Sequence, residues 1–314
     1  MTQTIRSKSN ATVIVAARRK RGLAVLTAVL SAACWGSATV MSKGVLAHMP
    51  PMTLLAVQLT ASIFVLWVGV LILRMRVRLD RSAWRASLSG LLEPGLSYTF
   101  GIIGLALTAA SSTALIGASE PLFILVFARL FLKERIGPSM LLLAAIATLG
   151  ILLVMAPDAE NLSGRRSLFG DLLVLIGTFF AAFYVIDTRR LVLKLDPLPL
   201  SALQQSVGLV WTLGVLTIAL GFGLTALGLE SISFSVLLLA AASGIIQYAL
   251  AFWLYLFALQ SLPANIAGFY LALIPVFGMG TAFIFLGESL TPLQWMGAIC
   301  VIISVGLISL LARE

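Results

Sequence analysis

Glu93 and Glu120 are the residues in this chain best suited to chemistry, and they lie where carboxylates are expensive. Each falls inside a long apolar run and each is followed at once by a proline, Pro94 and Pro121. A carboxylate at the centre of a bilayer costs about 2.5–3.5 kcal/mol on insertion scales, so both are expected to face protein or water, paired or protonated, and not lipid. The proline removes a backbone hydrogen bond and frees a carbonyl one turn earlier, which is tolerated only where protein or a wet cavity satisfies it. Acid and break therefore point together to an internal polar site.

Other residues inside apolar runs join them. Gln247 is a lone amide beside Tyr248, with Phe252 and Tyr255 on the latter's helical face. Such an amide needs partners, from a neighbouring helix or from a zwitterionic ligand. Tyr98 and Tyr184 would wall a pocket with polar tips or anchor at an interface, and mid-run Tyr98 fits the anchor reading less well than Trp84 or Trp295. Small residues share a helical face with each acid: Thr113 and Gly117 with Glu120, and Ser97, Gly101 and Gly104 with Glu93. Stripes of this kind serve either close helix packing or cavity lining. Lys43 pairs with an internal acid or a ligand carboxylate, or else snorkels to the surface.

The elements that must position these groups are apolar helices. Of 314 residues, 60% are hydrophobic and 11% charged, with mean hydropathy +1.08, which excludes a water-soluble domain. Apolar runs predict ten spans, at 22–46, 52–73, 83–107, 110–131, 137–156, 168–192, 198–222, 234–259, 263–286 and 292–311. Placing the N-terminus in the cytoplasm puts 18 of the 21 basic residues on that side, so both termini are expected there. The basic clusters are thus topology signals, and nucleic-acid binding is not expected. The apolar run after Arg18–Arg21 is long enough to be retained as a first span rather than cleaved. Cys34 and Cys300 read as small buried hydrophobes, and no cofactor or metal site is expected.

The chain repeats itself. An offset of 154 residues superposes Pro121 on Pro275, Glu134 on Glu288 and Pro138 on Pro292. Five spans is an odd number, so the second half inserts upside down. The expected fold is an all-α integral membrane protein of ten transmembrane helices in two inverted five-helix repeats. Residues 1–21 form a cytoplasmic tail, 22–156 the first repeat, 157–167 an external linker and 168–314 the second repeat. Inverted repeats are a common build for secondary transporters, with a site near the midplane; packing alone would also preserve an old duplication.

With CWGSATVMSK at 34–43, Tyr184 followed by Asp187-Thr-Arg-Arg190, and the paired P-x12-E pattern, the chain resembles the ten-helix EamA-type members of the drug/metabolite transporter superfamily. Among them it looks most like the YddG-type aromatic amino acid exporters of bacterial inner membranes. The resemblance implies a central cavity between the halves, spans five and ten outside it, and alternating access. It implies small metabolites, aromatic or neutral amino acids first, as substrates, with lipid as the surroundings. A central site gives weight to mid-span residues: Trp35, Glu93, Tyr98, Glu120, Tyr184, Gln247 and Tyr248 for substrate, and Pro94, Pro121 and Pro275 as helix breaks. Four-helix multidrug relatives carry a coupling glutamate in their first helix, where this chain has Trp35 and no acid. An intramembrane enzyme is disfavoured by the absence of H-E-x-x-H and of paired aspartates inside spans. The remaining alternatives are an exporter of other metabolites or drugs and a non-transporting subunit or flippase component.

Overall fold

The computed structural model describes residues 2–77, 80–107, 116–117, 119–154, 168–229, 232–286 and 291–311. Among them every regular element is a helix. In chain order these are α1 (Thr2–Leu46), α2 (Pro51–Ile72), α3 (Arg81–Ser87), a π-helical turn (Leu91–Leu96) leading into α4 (Ser97–Leu107), α5 (Glu120–Phe131), α6 (Pro138–Val154) and α7 (Leu168–Leu191). There follow α8 (Pro197–Gly221), α9 (Phe234–Gly244), a second π-helical turn (Ile245–Leu250) leading into α10 (Ala251–Leu259), α11 (Ala264–Leu271), α12 (Ile274–Leu286) and α13 (Pro292–Leu311).

Prolines open many of these helices. Pro51, Pro138, Pro197 and Pro292 each take the first helical position, where the missing N–H has no helical partner to lose. Asp80 caps α3, its Oδ1 accepting from the Ala83 N–H at 2.8 Å. Among the described residues seven segments are long and apolar enough to cross a membrane, counting α9–α10 as one and α11–α12 as another, and Pro138–Val154 is a shorter apolar helix. The remaining two spans of the sequence fall on α3–α4 and α5. The helix of the first span starts at Thr2, so the expected tail is helical, while the 157–167 linker and Glu288 lie outside the described residues.

The inverted repeat is visible in the packing. α1 of the first half packs on α10 and α12 of the second, and α7 of the second half packs on α4 and α5 of the first. α2 lies against α8, and α6 against α13, so each half lends its first span to the other's third and fourth. Backbones meet closely at two crossings where only glycine fits: a Cβ on Gly36 would stand 2.5 Å from the Ile274 oxygen, and one on Gly177 would stand 2.8 Å from the Ser97 oxygen. The protein is therefore a multi-span membrane protein of two inverted five-helix repeats. Its outward faces are apolar, with Leu71, Ile284 and Phe285 more than two thirds exposed, as a surface solvated by lipid tails requires.

Candidate functional site

The fourth and ninth spans are both interrupted, at equivalent points. α5 begins at Glu120, with Pro121 as its second residue; α11 ends at Leu271, and α12 begins at Ile274 with Pro275 second. The third and eighth spans are interrupted as well, by the two π-helical turns. Inside the first of these, Glu93 leaves helical geometry altogether, with φ −147° and ψ 126°, immediately before Pro94. A wide turn of this kind frees backbone groups that need side-chain partners. In the second turn the Tyr248 carbonyl accepts from Gln205 Nε2 at 3.1 Å.

These breaks converge on one region. Glu93 and Glu120 are close enough to interact electrostatically, and both side chains retain solvent access although they lie deep among the helices, as walls of an internal cavity would. Among the described residues neither carboxylate is paired with a cation. The Tyr98 hydroxyl lies beside Gln247 and Tyr248, and its ring meets Tyr248 edge-on at 5.3 Å. Behind this accessible layer lies a buried aromatic one. Phe252 stacks on Tyr248 at 6.1 Å and meets Trp35 at 5.1 Å and Tyr184 at 5.8 Å, while Tyr255 meets Trp35 at 5.5 Å.

The seven candidate residues therefore divide in two. Glu93, Tyr98, Glu120 and Gln247 are partly accessible; Trp35, Tyr184 and Tyr248 are buried beneath them. The hub of the buried layer is Phe252, which sequence reasoning left outside the site. It also missed two amides that tie the helices together. Gln58 Nε2 donates to Ser42 Oγ and Ser243 Oγ, each at 2.8 Å, and Ser42 in turn donates to Gln247 Oε1 at 3.3 Å. Gln204 Nε2 donates to Ser89 Oγ at 2.5 Å and Thr188 Oγ1 at 3.3 Å, while its Oε1 accepts from the Tyr184 hydroxyl at 2.9 Å. Buried amides in apolar runs were the available signal, the one that singled out Gln247. Among the described residues no group of three His, Cys, Asp or Glu side chains is placed to hold a metal ion.

Comparison with known proteins fits this geometry. The profile of the EamA-like transporter family matches residues 22–156 and again 168–310, one match to each repeat. The chain belongs to the EamA-like transporter family. It is accordingly a membrane transporter. This EamA-like transporter is 24% identical over 218 residues to the "Uncharacterized transporter YcxC" of Bacillus subtilis (strain 168), covering 68% of this chain and 69% of the relative. It is also 24% identical over 298 residues to an "Uncharacterized transporter" of Methanothermobacter thermautotrophicus, covering 90% and 84% of the two chains. A solved structure titled only as a crystal structure of protein superposes with TM-score 0.77 over 92% of this chain and 97% of its own, at 17% identity. That likeness bears on the fold, which the two chains share end to end.

Proposed function

We propose that this transporter is a secondary exporter of small amphipathic metabolites, neutral and aromatic amino acids first, working by alternating access in a bacterial inner membrane with both termini cytoplasmic. The observation that carries the reading is the meeting of Glu93 and Glu120, neither paired with a cation among the described residues, with Tyr98, Gln247 and Tyr248 at the breaks of the third, fourth and eighth spans. The carboxylates suit an ammonium group, the Gln247 amide and the phenol suit a carboxylate, and the aromatic layer suits an apolar or aromatic side chain. The breaks at Pro94, Pro121 and Pro275 supply the points about which the halves rock.

The same two acids favour a second reading, in which amphipathic amines lacking a carboxylate are carried instead, by the attraction of a cation to Glu93, Glu120 and the aromatic faces. Liposomes holding only this protein separate the two. Exchange of labelled phenylalanine, tryptophan, threonine or methionine supports the amino acid reading; failure of all four with exchange of labelled phenethylamine supports the amine. Failure of all five removes both.

A further inference from the structure

We infer that Glu134 is the latch that holds one end of the transporter closed, and that its release opens that end. The end in question carries the basic connections at 74–85, 133–137 and 192–196, and there the two halves are tightly packed. Every residue of α11 is buried, whereas the residues of α12, toward the opposite end, are mostly half-buried or exposed. Ile124 of α5 sits on Gly268 of α11, where an added Cβ would stand 2.7 Å from Ile124 Cγ2. Farther from the basic end on the fourth span, three residues before Glu120, a Cβ on Gly117 would meet nothing within 4 Å. The two halves are therefore packed together at the basic end.

Glu134 lies in the connection after α5, in the first half, yet its carboxylate is spent on the second. Oε1 accepts from the Ala264 N–H at 2.8 Å and Oε2 from the Asn265 N–H at 2.9 Å, so both oxygens cap the first turn of α11. A carboxylate on a helix N-terminus satisfies donors that have no helical partner and complements the helix dipole. Asn265 returns the contact, its Nδ2 donating to the Arg135 carbonyl at 3.4 Å. Just outside lies a cleft of about 480 Å³, lined by Glu134, Arg135, Met140, Pro263, Asn265 and Ile308, among others. Separating α5 from α11 joins this cleft to the central site, and the first bonds to break are those of Glu134.

The inference rests on the alternating-access part of the proposed function and not on its substrate, so it is tested without substrate. With Cys34 and Cys300 replaced by alanine, a single reporter, Ala267→Cys in buried α11, is alkylated by a maleimide applied from the basic end; a second reporter, Gly117→Cys, is alkylated from the opposite end. Glu134→Gln and Glu134→Ala are expected to speed labelling at 267 about tenfold, the scale of losing a hydrogen bond to a charged group. They are also expected to slow labelling at 117, and Glu134→Asp falls between. A rise at both positions overturns the latch, since general loosening would produce it. Gly268→Ala, which wedges α11 from Ile124, is the control. If it speeds labelling at 267 and the Glu134 variants do not, the latch falls and alternating access stands. If no variant changes labelling, both fall.

Discussion

Glu93 and Gln247 occupy the same position in two inverted turns. Each is the third residue of a six-residue π-helical turn, Leu91–Leu96 in the first half and Ile245–Leu250 in the second, and they are 154 residues apart, the offset that also relates Pro121 to Pro275. Both lie near Tyr98. The two turns thus share one architecture and differ in chemistry: an acid in one repeat and a neutral amide in the other. A zwitterion, carrying one charge of each sign, suits that inequality better than a symmetric ligand does.

That relationship yields the first prediction. Glu93→Gln makes the half-sites chemically equal, and amino acid counterflow in liposomes is expected to fall on the order of tenfold or more, the loss of one charge-assisted hydrogen bond. Exchanging the pair, Glu93→Gln with Gln247→Glu, is expected to restore part of the flux, because the acid returns at the equivalent depth. If the exchange is no better than the single change, the two positions are not functionally equivalent.

A second prediction concerns the glycines one residue before the two π turns. Gly90 lies against the Gln204 backbone and Gly244 against the Gln58 backbone, each too close to admit a Cβ. Gly90→Ala and Gly244→Ala are therefore expected to cost most of the folded yield, read as monodisperse protein in detergent. Gly214→Ala, where a Cβ meets nothing within 4 Å, is expected to fold as wild type. Normal yield for both of the first pair would show that α8 and α2 can back away from the turns.

The bundling amides give a third. Gln204 has three side-chain partners on two other segments, Ser89 before the first π turn and Tyr184 and Thr188 on α7, and Gln204→Leu takes the amide away from all three. A destabilisation of about 1–3 kcal/mol per abandoned group is expected, read as a lowered thermal midpoint in detergent. Gln58→Leu abandons Ser42 and Ser243 and is expected to cost somewhat less. No shift in either would mean that water replaces the amides.

The spans were legible in the sequence because lipid enforces a simple rule: a long apolar run with all its backbone bonds made internally. The breaks at Pro121 and Pro275 were legible because proline cannot do otherwise. The first π turn was legible as a break at Pro94, but the second was not, since Ile245–Leu250 contains no proline or glycine; it packs against α2 and takes a bond from Gln205. Gln58 and Gln204 were passed over because an amide in an apolar run looks the same whether it bonds a helix or a ligand. The 154-residue offset would have helped, for it pairs Ser89 with Ser243 and Gly90 with Gly244 as well as Glu93 with Gln247. Tyr98 and Tyr184 read as pocket walls and Tyr248 as a substrate contact beside Gln247; the fold buries Tyr184 and Tyr248 and leaves Tyr98 and Gln247 accessible above them.

The hydroxyl of Tyr255 gives the last prediction. Its side chain is 1% exposed, packed against Trp35, and its oxygen has no hydrogen-bond partner among the described residues. An unsatisfied buried hydroxyl costs about 1–3 kcal/mol, so in this conformation phenylalanine would serve better. Tyr255→Phe is therefore expected to raise the thermal midpoint or leave it unchanged. Its effect on flux distinguishes two origins for the orphan. If the hydroxyl finds its partner only when the basic end opens, removing it stabilises the present conformation over the other, and counterflow falls while stability rises. If flux and stability rise together or both stay level, the hydroxyl has no part in the cycle and Tyr255 acts through its ring alone.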